Sequence, residues 1–495
     1  MLRLLALCLV LVASLPARAD EGSAERWYIV QMQGQRCGWM RERCKREGEN
    51  WRSESELKME IKRGAVAIGI GIESSFVESA DHKPVSMSST MKLGAMPQGK
   101  RYRFLADGVE VIETSMGKDL EPKKEPLPEG EWLTPLAVEE RMAERIAAGE
   151  KEVVVRSIDP GTGLKVLTAT NTLLERTTLE VVGRVAPALK WESKVDLYPT
   201  ITSTTFTDER GRPLRNETDV GGIKLTILRA DRDLALAKMD PPELLMSTLI
   251  TPDRPIPRPR ELARAVYVIE SAGGALADIP TQGGQRFERT GPKSGRVVVI
   301  AGKDGRASAP AEEVKDAGFT DCTTMISCAD GEVKALAAGA LAKDASATDK
   351  AARAEALRKF VYGYINKKSL DVGFATAAEV ARTRAGDCSE HGVLLCALLR
   401  ADGIPARVVS GLVYVDQFAR QDNVFGYHMW TQALLDDGSG PKWVDLDAAL
   451  SRESAFDATH IALTTSSLGE GEMTNSLVQL APLLGTISIK VESVD

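Results

Sequence analysis

Cys388 directly follows Gly386-Asp387 and opens an apolar run through Leu394, Leu395, Leu398 and Leu399. The spacing predicts a helix that begins at the cysteine and stops near Gly403, with Pro405 beyond it. Unpaired N–H groups in a first helical turn favour a thiolate over a thiol, and Gly386 allows a tight turn into that helix. A thiolate that attacks a carbonyl needs an acid–base partner and a third group to orient that partner. Four histidines are present: His82, His391, His428 and His460. His82, alone beside Lys83-Pro84, reads as a surface-loop residue. His391 lies one turn from Cys388 on the same helix, a poor setting for a triad because such side chains stack along one face. His428 begins a predicted strand and shares a sheet face with Trp430, Gln432 and Leu434, so it is the candidate partner.

The third group should come from the strand that returns after the turn Asp436-Asp437-Gly438-Ser439-Gly440-Pro441. Lys442 to Asp447 carries two carboxylates, Asp445 and Asp447, and alternation puts both on one face. A turn centred on Ser439 leaves two registers in which they share the face of His428. One sets Asp447 diagonal to His428, the other directly opposite. Asp445 lies two residues further along in either, about 7 Å at strand rise. The register predicts Asp447 as the carboxylate that orients His428.

The surrounding elements are readable from periodicity. From Lys350, apolar residues at Leu357, Phe360, Val361, Tyr364 and Ile365 follow the pattern of an amphipathic helix. Thr376-Ala377-Ala378-Glu379 has capping-box spacing and should start a short helix. Arg407 to Tyr414 and Tyr427 to Leu435 read as strands. A cysteine-bearing helix thus precedes an antiparallel sheet that carries a histidine and aspartates, an α+β arrangement. Cys396, amid leucines, reads as core. Cys388, His391, Cys396 and His428 could in principle ligate zinc, but their spacing lacks a short paired knuckle. Trp430 is a candidate wall of a substrate cleft, and Arg407 and Tyr414 are candidate lining residues.

Gly386-Asp387-Cys388-Ser389-Glu390-His391-Gly392-Val393-Leu394-Leu395, followed by Leu398-Leu399-Arg400-Ala401-Asp402-Gly403-Ile404-Pro405-Ala406-Arg407, resembles the core of the bacterial transglutaminase-like superfamily. His428-Met429-Trp430 resembles that family's His-Ala-Trp step, with methionine in place of alanine. Trp443-Val444-Asp445-Leu446-Asp447 resembles its Trp-x-Pro-x-Asp step, with Asp445 at the usual proline. The resemblance spans about residues 350 to 465. It implies a papain-like fold and a triad of Cys388, His428 and Asp447; Trp430 and Tyr414 are the candidate substrate-binding residues, and no metal or cofactor is expected. It also implies attack on protein or peptide amide bonds through an acyl-enzyme. Hydrolysis is the commoner outcome in exported bacterial members, and amine transfer is the other. A non-catalytic envelope scaffold or binding protein on the same fold is the competing function class.

At 495 residues the chain is too long for one core. Residues 1–19 read as a signal peptide: Arg3, an apolar stretch from Leu4 to Leu15, then Ala17-Arg18-Ala19 as a cleavage site. No later stretch is long and apolar enough for a membrane span, so an exported, periplasmic or secreted protein is expected. A formal charge of −7 argues against a nucleic-acid partner. Residues 20–240 read as a β-rich antiparallel domain with one wet face. Residues 241–345 read as a proline-marked linker and small mixed domain, 346–465 as the thiol-enzyme domain, and 466–495 as an extension. An oxidising destination makes the sequence-local pairs Cys37–Cys44 and Cys322–Cys328 the expected disulfides.

Overall fold

Strands are the commonest regular element of this chain, many of them built by alternation of buried and exposed residues. The computed structural model describes residues 23–495 except 64–65, 94–95, 116–117, 198–200, 221–222, 243–247, 273–274, 303–304, 369–374, 419–420, 470–482 and 484. The export segment at residues 1–19 lies outside the described residues. The chain divides into two units, one ending at Glu243 and one running from Leu244 to Asp495.

The first unit is a 15-stranded antiparallel sheet built largely from sequential hairpins. Its path joins two runs where the strand Ser23–Met32 pairs with Ile223–Ala230. The strand Gln35–Glu47 shows the rule: Cys37, Met40, Glu42 and Cys44 are buried. A helix at Pro135–Ala147 packs Leu136 against Cys44 and Trp51. Buried Glu42 is held by the hydroxyl of Tyr28 at 2.7 Å. His82 bridges Glu78 and Glu140 through its two ring nitrogens.

The expected Cys37–Cys44 disulfide is not formed: both are free, buried thiols. They lie on one extended strand, so seven residues of rise put them roughly 23 Å apart, far beyond disulfide reach. Burial pushes the thiol of Cys37 up to about 12 and that of Cys44 up to about 11. They pack as small apolar side chains.

The second unit contains two four-stranded antiparallel sheets. One orders Gln285–Gly291, Ser294–Ile300, Arg264–Ser271 and Ile487–Val494, so the last strand of the chain pairs with a strand more than two hundred residues earlier. The other orders Pro441–Leu446, Gln421–Asp436, Ala406–Phe418 and His460–Ser466. One apolar cluster joins them, with Tyr267, Val297 and Ile489 from the first sheet and Leu412, Phe425 and Ile461 from the second. Helices at Gly331–Leu341, Lys350–Tyr364 and Ala377–Thr383 pack around the helix Cys388–Ala401, which rests on the Gln421–Asp436 strand.

Cys322 and Cys328 are bonded, with Cα atoms 5.1 Å apart, as their proximity predicts. This loop anchors two helices. Met325 and Ser327 accept hydrogen bonds from the backbone of Ala377 and Ala378. Arg400 donates to the carbonyl of Asp321 at 2.6 Å.

Candidate active site

Cys388 is the first residue of its helix, and the cap before it is fully built. The side chain of Asp387 accepts from the backbone N–H and hydroxyl of Ser389, at 2.9 and 2.8 Å. Glu390 reaches back to the N–H of Asp387 at 2.9 Å, completing a capping box. The other oxygen of Glu390 accepts from Ala375 N–H at 2.9 Å, so one buried carboxyl fastens the preceding loop to the helix start. Burial pushes that carboxyl up to about 8. Gly386 has φ of 151°, and a β-carbon there would lie 2.3 Å from Cβ of Glu390. Only glycine allows this entry. The Asp-x-x-Glu spacing was the available signal for this cap.

The helix approaches the sheet closely at Gly392, where an added β-carbon would meet Cγ of Met429 at 3.3 Å. Thr431 donates its hydroxyl to the carbonyl of Gly392 at 2.9 Å. These contacts bring the first helical turn alongside His428. Cys388 remains partly exposed, whereas Cys396 on the same helix is fully buried.

His428 is buried and donates its Nε2–H to Oδ2 of Asp447 at 2.9 Å. The sulfur of Cys388 lies close enough to the ring to add to its electrostatics. Burial alone would lower the imidazole's affinity for a proton. The carboxylate of Asp447 and then the sulfur of Cys388 outweigh it and push the ring up to about 9. Asp447 is held well below the usual carboxylate range, because His428 and His460 overcome the burial that would raise it. Its Oδ1 accepts from the N–H of Ala449 at 2.7 Å.

The hairpin register pairs Gln432 with Asp445 and Thr431 with Leu446. Asp447 therefore falls diagonal to His428, the first of the two registers derived from the turn. Asp445 holds other groups. Its Oδ1 accepts from Trp430 Nε1 at 2.9 Å and Gln432 Nε2 at 2.7 Å, and its Oδ2 accepts from Gly284 N–H at 3.2 Å.

Trp430 is buried and backs the imidazole, its ring 6.1 Å from that of His428 at an interplanar angle of 22°. It fits because Gly411 has no side chain: a β-carbon there would lie 2.7 Å from the indole. Tyr414 is not brought to the site. It is buried in the core against Phe425, and its hydroxyl donates to Asn423 and accepts from Ile256 N–H. Alternation placed Tyr414 on a strand but could not say which layer its face meets. Arg407 is also buried, under the ring of Trp443, where it pairs with Glu313 and bonds Gln432 and Gln282. His391 donates Nδ1–H to the carbonyl of Asp387 at 2.5 Å, and burial lowers its proton affinity.

The residue that sequence reasoning missed is His460. Its Nε2 lies 3.1 Å from the same Oδ2 of Asp447. It begins the strand His460–Ser466, which pairs with Ala406–Phe418 rather than with the hairpin carrying Asp447. Only the sheet order makes them neighbours. His428, Asp447 and His460 have donor atoms within 4.8 Å of one another, close enough in principle for a metal. Both contacts are also of hydrogen-bond length, with the carboxylate as acceptor.

Residues 334–448 match the family model of the transglutaminase-like superfamily. Comparison with curated proteins gives no match. Among solved structures, the chain is similar to a β-barrel-like protein of a domain of unknown function from Brucella abortus. That match has 10% identity and a TM-score of 0.34, and covers 42% of this chain and 96% of that one. A candidate cysteine protease from Cytophaga hutchinsonii matches at 12% identity and a TM-score of 0.27, covering 46% and 82%. A candidate protease from Parabacteroides distasonis matches at 10% identity and a TM-score of 0.20, covering 78% and 68%. At these TM-scores the three likenesses carry no weight below. The family match and the residues it spans place a transglutaminase-like domain in the C-terminal unit of this chain.

Proposed function

We propose that the protein is a thiol enzyme that cleaves amide bonds in proteins or peptides. The observation that carries this reading is a partly exposed cysteine on a first helical turn, electrostatically coupled to a buried imidazole that a buried carboxylate holds. With the ring pushed up to about 9, an imidazolium stands beside the sulfur at neutral pH. The sulfur of Cys388 attacks the amide carbonyl. As the tetrahedral centre collapses, His428 gives its proton to the departing nitrogen and an acyl-thioester remains. Neutral His428 then takes a proton from water, the hydroxide adds to the thioester, and the acid is released as the carbon–sulfur bond breaks and frees the sulfur of Cys388. Asp447 keeps the ring oriented through both steps.

Export through residues 1–19 belongs to the same reading. The Cys322–Cys328 disulfide supports an oxidising destination. No helix among the described residues is long and apolar enough to cross a membrane.

The test is a panel of quenched fluorescent peptides, run with and without a primary amine. Hydrolysis that disappears in Cys388→Ala supports the reading. Amine incorporation without hydrolysis would reassign the acceptor. No turnover together with no labelling of Cys388 by a thiol probe would favour a binding or scaffold role.

A further inference from the structure

Asp447 serves two imidazoles through one oxygen, His428 at 2.9 Å and His460 at 3.1 Å. The proposed chemistry uses only the first. The far nitrogen of His460 lies 3.1 Å from the carbonyl of Asp457 and 3.3 Å from its Oδ1. Oδ2 of Asp457 lies 3.0 Å from Nη1 of Arg260, whose Nη2 donates to the hydroxyl of Thr459 at 2.9 Å. His428, Asp447, His460 and Asp457 are all buried, and Arg260, with its side chain 30% exposed, reaches solvent. The groups alternate in sign from His428 outward: His428, Asp447, His460, Asp457, Arg260. The charged groups that face His460 are Asp447, Asp457 and His428, with Arg260 behind Asp457. Trp430 meets its ring in an edge contact at 5.2 Å and Phe456 lies tilted against it at 4.7 Å, and neither ionises.

Two consequences follow from this line. A carboxylate held at two lone pairs by rigid rings cannot rotate away from His428. A carboxylate that faced one imidazolium alone would also bind its proton tightly and make His428 a reluctant donor. A second cation on the same oxygen shares that attraction, and the two rings, 5.8 Å apart, repel each other.

We propose that His460 is a positioning residue for the thiol chemistry: as an imidazolium backed by Asp457 and Arg260, it locks Asp447 and keeps the proton of His428 transferable. The proposal rests on the function proposed above for its catalytic part. Its electrostatic part stands without it.

The experiment uses the full chain, with histidine ring carbons labelled so that four signals are followed by NMR against pH. Two variants are compared with the wild type. His460→Gln keeps an N–H donor toward Asp447 and removes the charge, whereas His460→Leu removes both. In His460→Gln the midpoint of His428 should move up by about one to two pH units, the size expected for a like charge at this separation in a partly polar interior. The alkaline limb of kcat/KM should move by the same amount, and kcat at neutral pH should fall roughly tenfold. His460→Leu should lose roughly a hundredfold or more, with part regained in His460→Gln. An unmoved or lowered His428 midpoint in folded His460→Gln would overturn the proposal. So would equal activity of the Gln and Leu variants. If no amide substrate turns over with the wild type, the thiol-enzyme reading fails, and the NMR midpoint alone decides the electrostatic part.

Discussion

Asp445 and Asp447 lie two residues apart on one face of a hairpin and hold different rings: Trp430 donates to Asp445, and His428 donates to Asp447. One pleat repeat separates a carboxylate that builds the wall from one that serves the proposed chemistry.

Exchanging each carboxylate for alanine should therefore affect turnover very differently. Asp447→Ala should lower kcat by roughly three to four orders of magnitude, because the imidazole loses orientation and tautomer. Asp445→Ala should keep most of the turnover. It orphans buried donors on Trp430, Gln432 and Gly284, so it should destabilise the fold by about 2–4 kcal/mol. Denaturant melts and peptide turnover on both variants check this, and the reverse pattern would remove Asp447 from its assigned role.

Alkylation should single out Cys388. Cys37, Cys44 and Cys396 are buried, and burial pushes their thiols up. Cys388 is partly exposed beside an imidazolium. With iodoacetamide at mildly acidic pH, peptide mapping should show Cys388 modified at least roughly a hundredfold faster than Cys396. Equal labelling would contradict the assignment.

Stability of the site should depend on pH with a definite sign. His428 and His460 are both pushed up to about 9, above their ordinary value near 6.5. The folded state thus holds more protons than the unfolded state between those limits. Its advantage is complete below about 6.5 and is lost as pH rises through 9. Asp447, held well below its ordinary range, acts oppositely: its contribution is present above about 3.9 and is lost as pH falls. Hydrogen-exchange protection of the strand Gln421–Asp436 should fall between pH 6.5 and 9.5, more steeply in wild type than in His460→Gln. Protection that rises over this range would refute the charge assignment.

Gly386→Ala should damage the helix start. The added carbon meets Glu390 at 2.3 Å, and φ of 151° is itself unfavourable for alanine. A loss of about 2–4 kcal/mol is expected, together with slower alkylation of Cys388 as the capping box opens. Wild-type labelling and melting would mean that the loop yields freely.

What the sequence determined by itself was local. The order Gly-Asp-Cys before an apolar run specifies a helix start, because capping and periodicity act within a few residues. The hairpin carrying His428 and Asp447 was legible too, since a short turn allows few registers and alternation decides which residues share a face. Closeness in sequence misled at Cys37 and Cys44, because an extended strand moves residues apart as fast as a covalent chain can. It served at Cys322 and Cys328, where the chain turns back. Tertiary structure decided the rest. Whether Tyr414 meets the core or the cleft depends on which layer covers its face. The pairing of Ile487–Val494 with Arg264–Ser271 joins segments with no shared local signal. His460 reaches Asp447 only because its strand lies on the far side of Ala406–Phe418 from the hairpin. Strand order is set by burial summed over whole sheets, and no short stretch of residues encodes it.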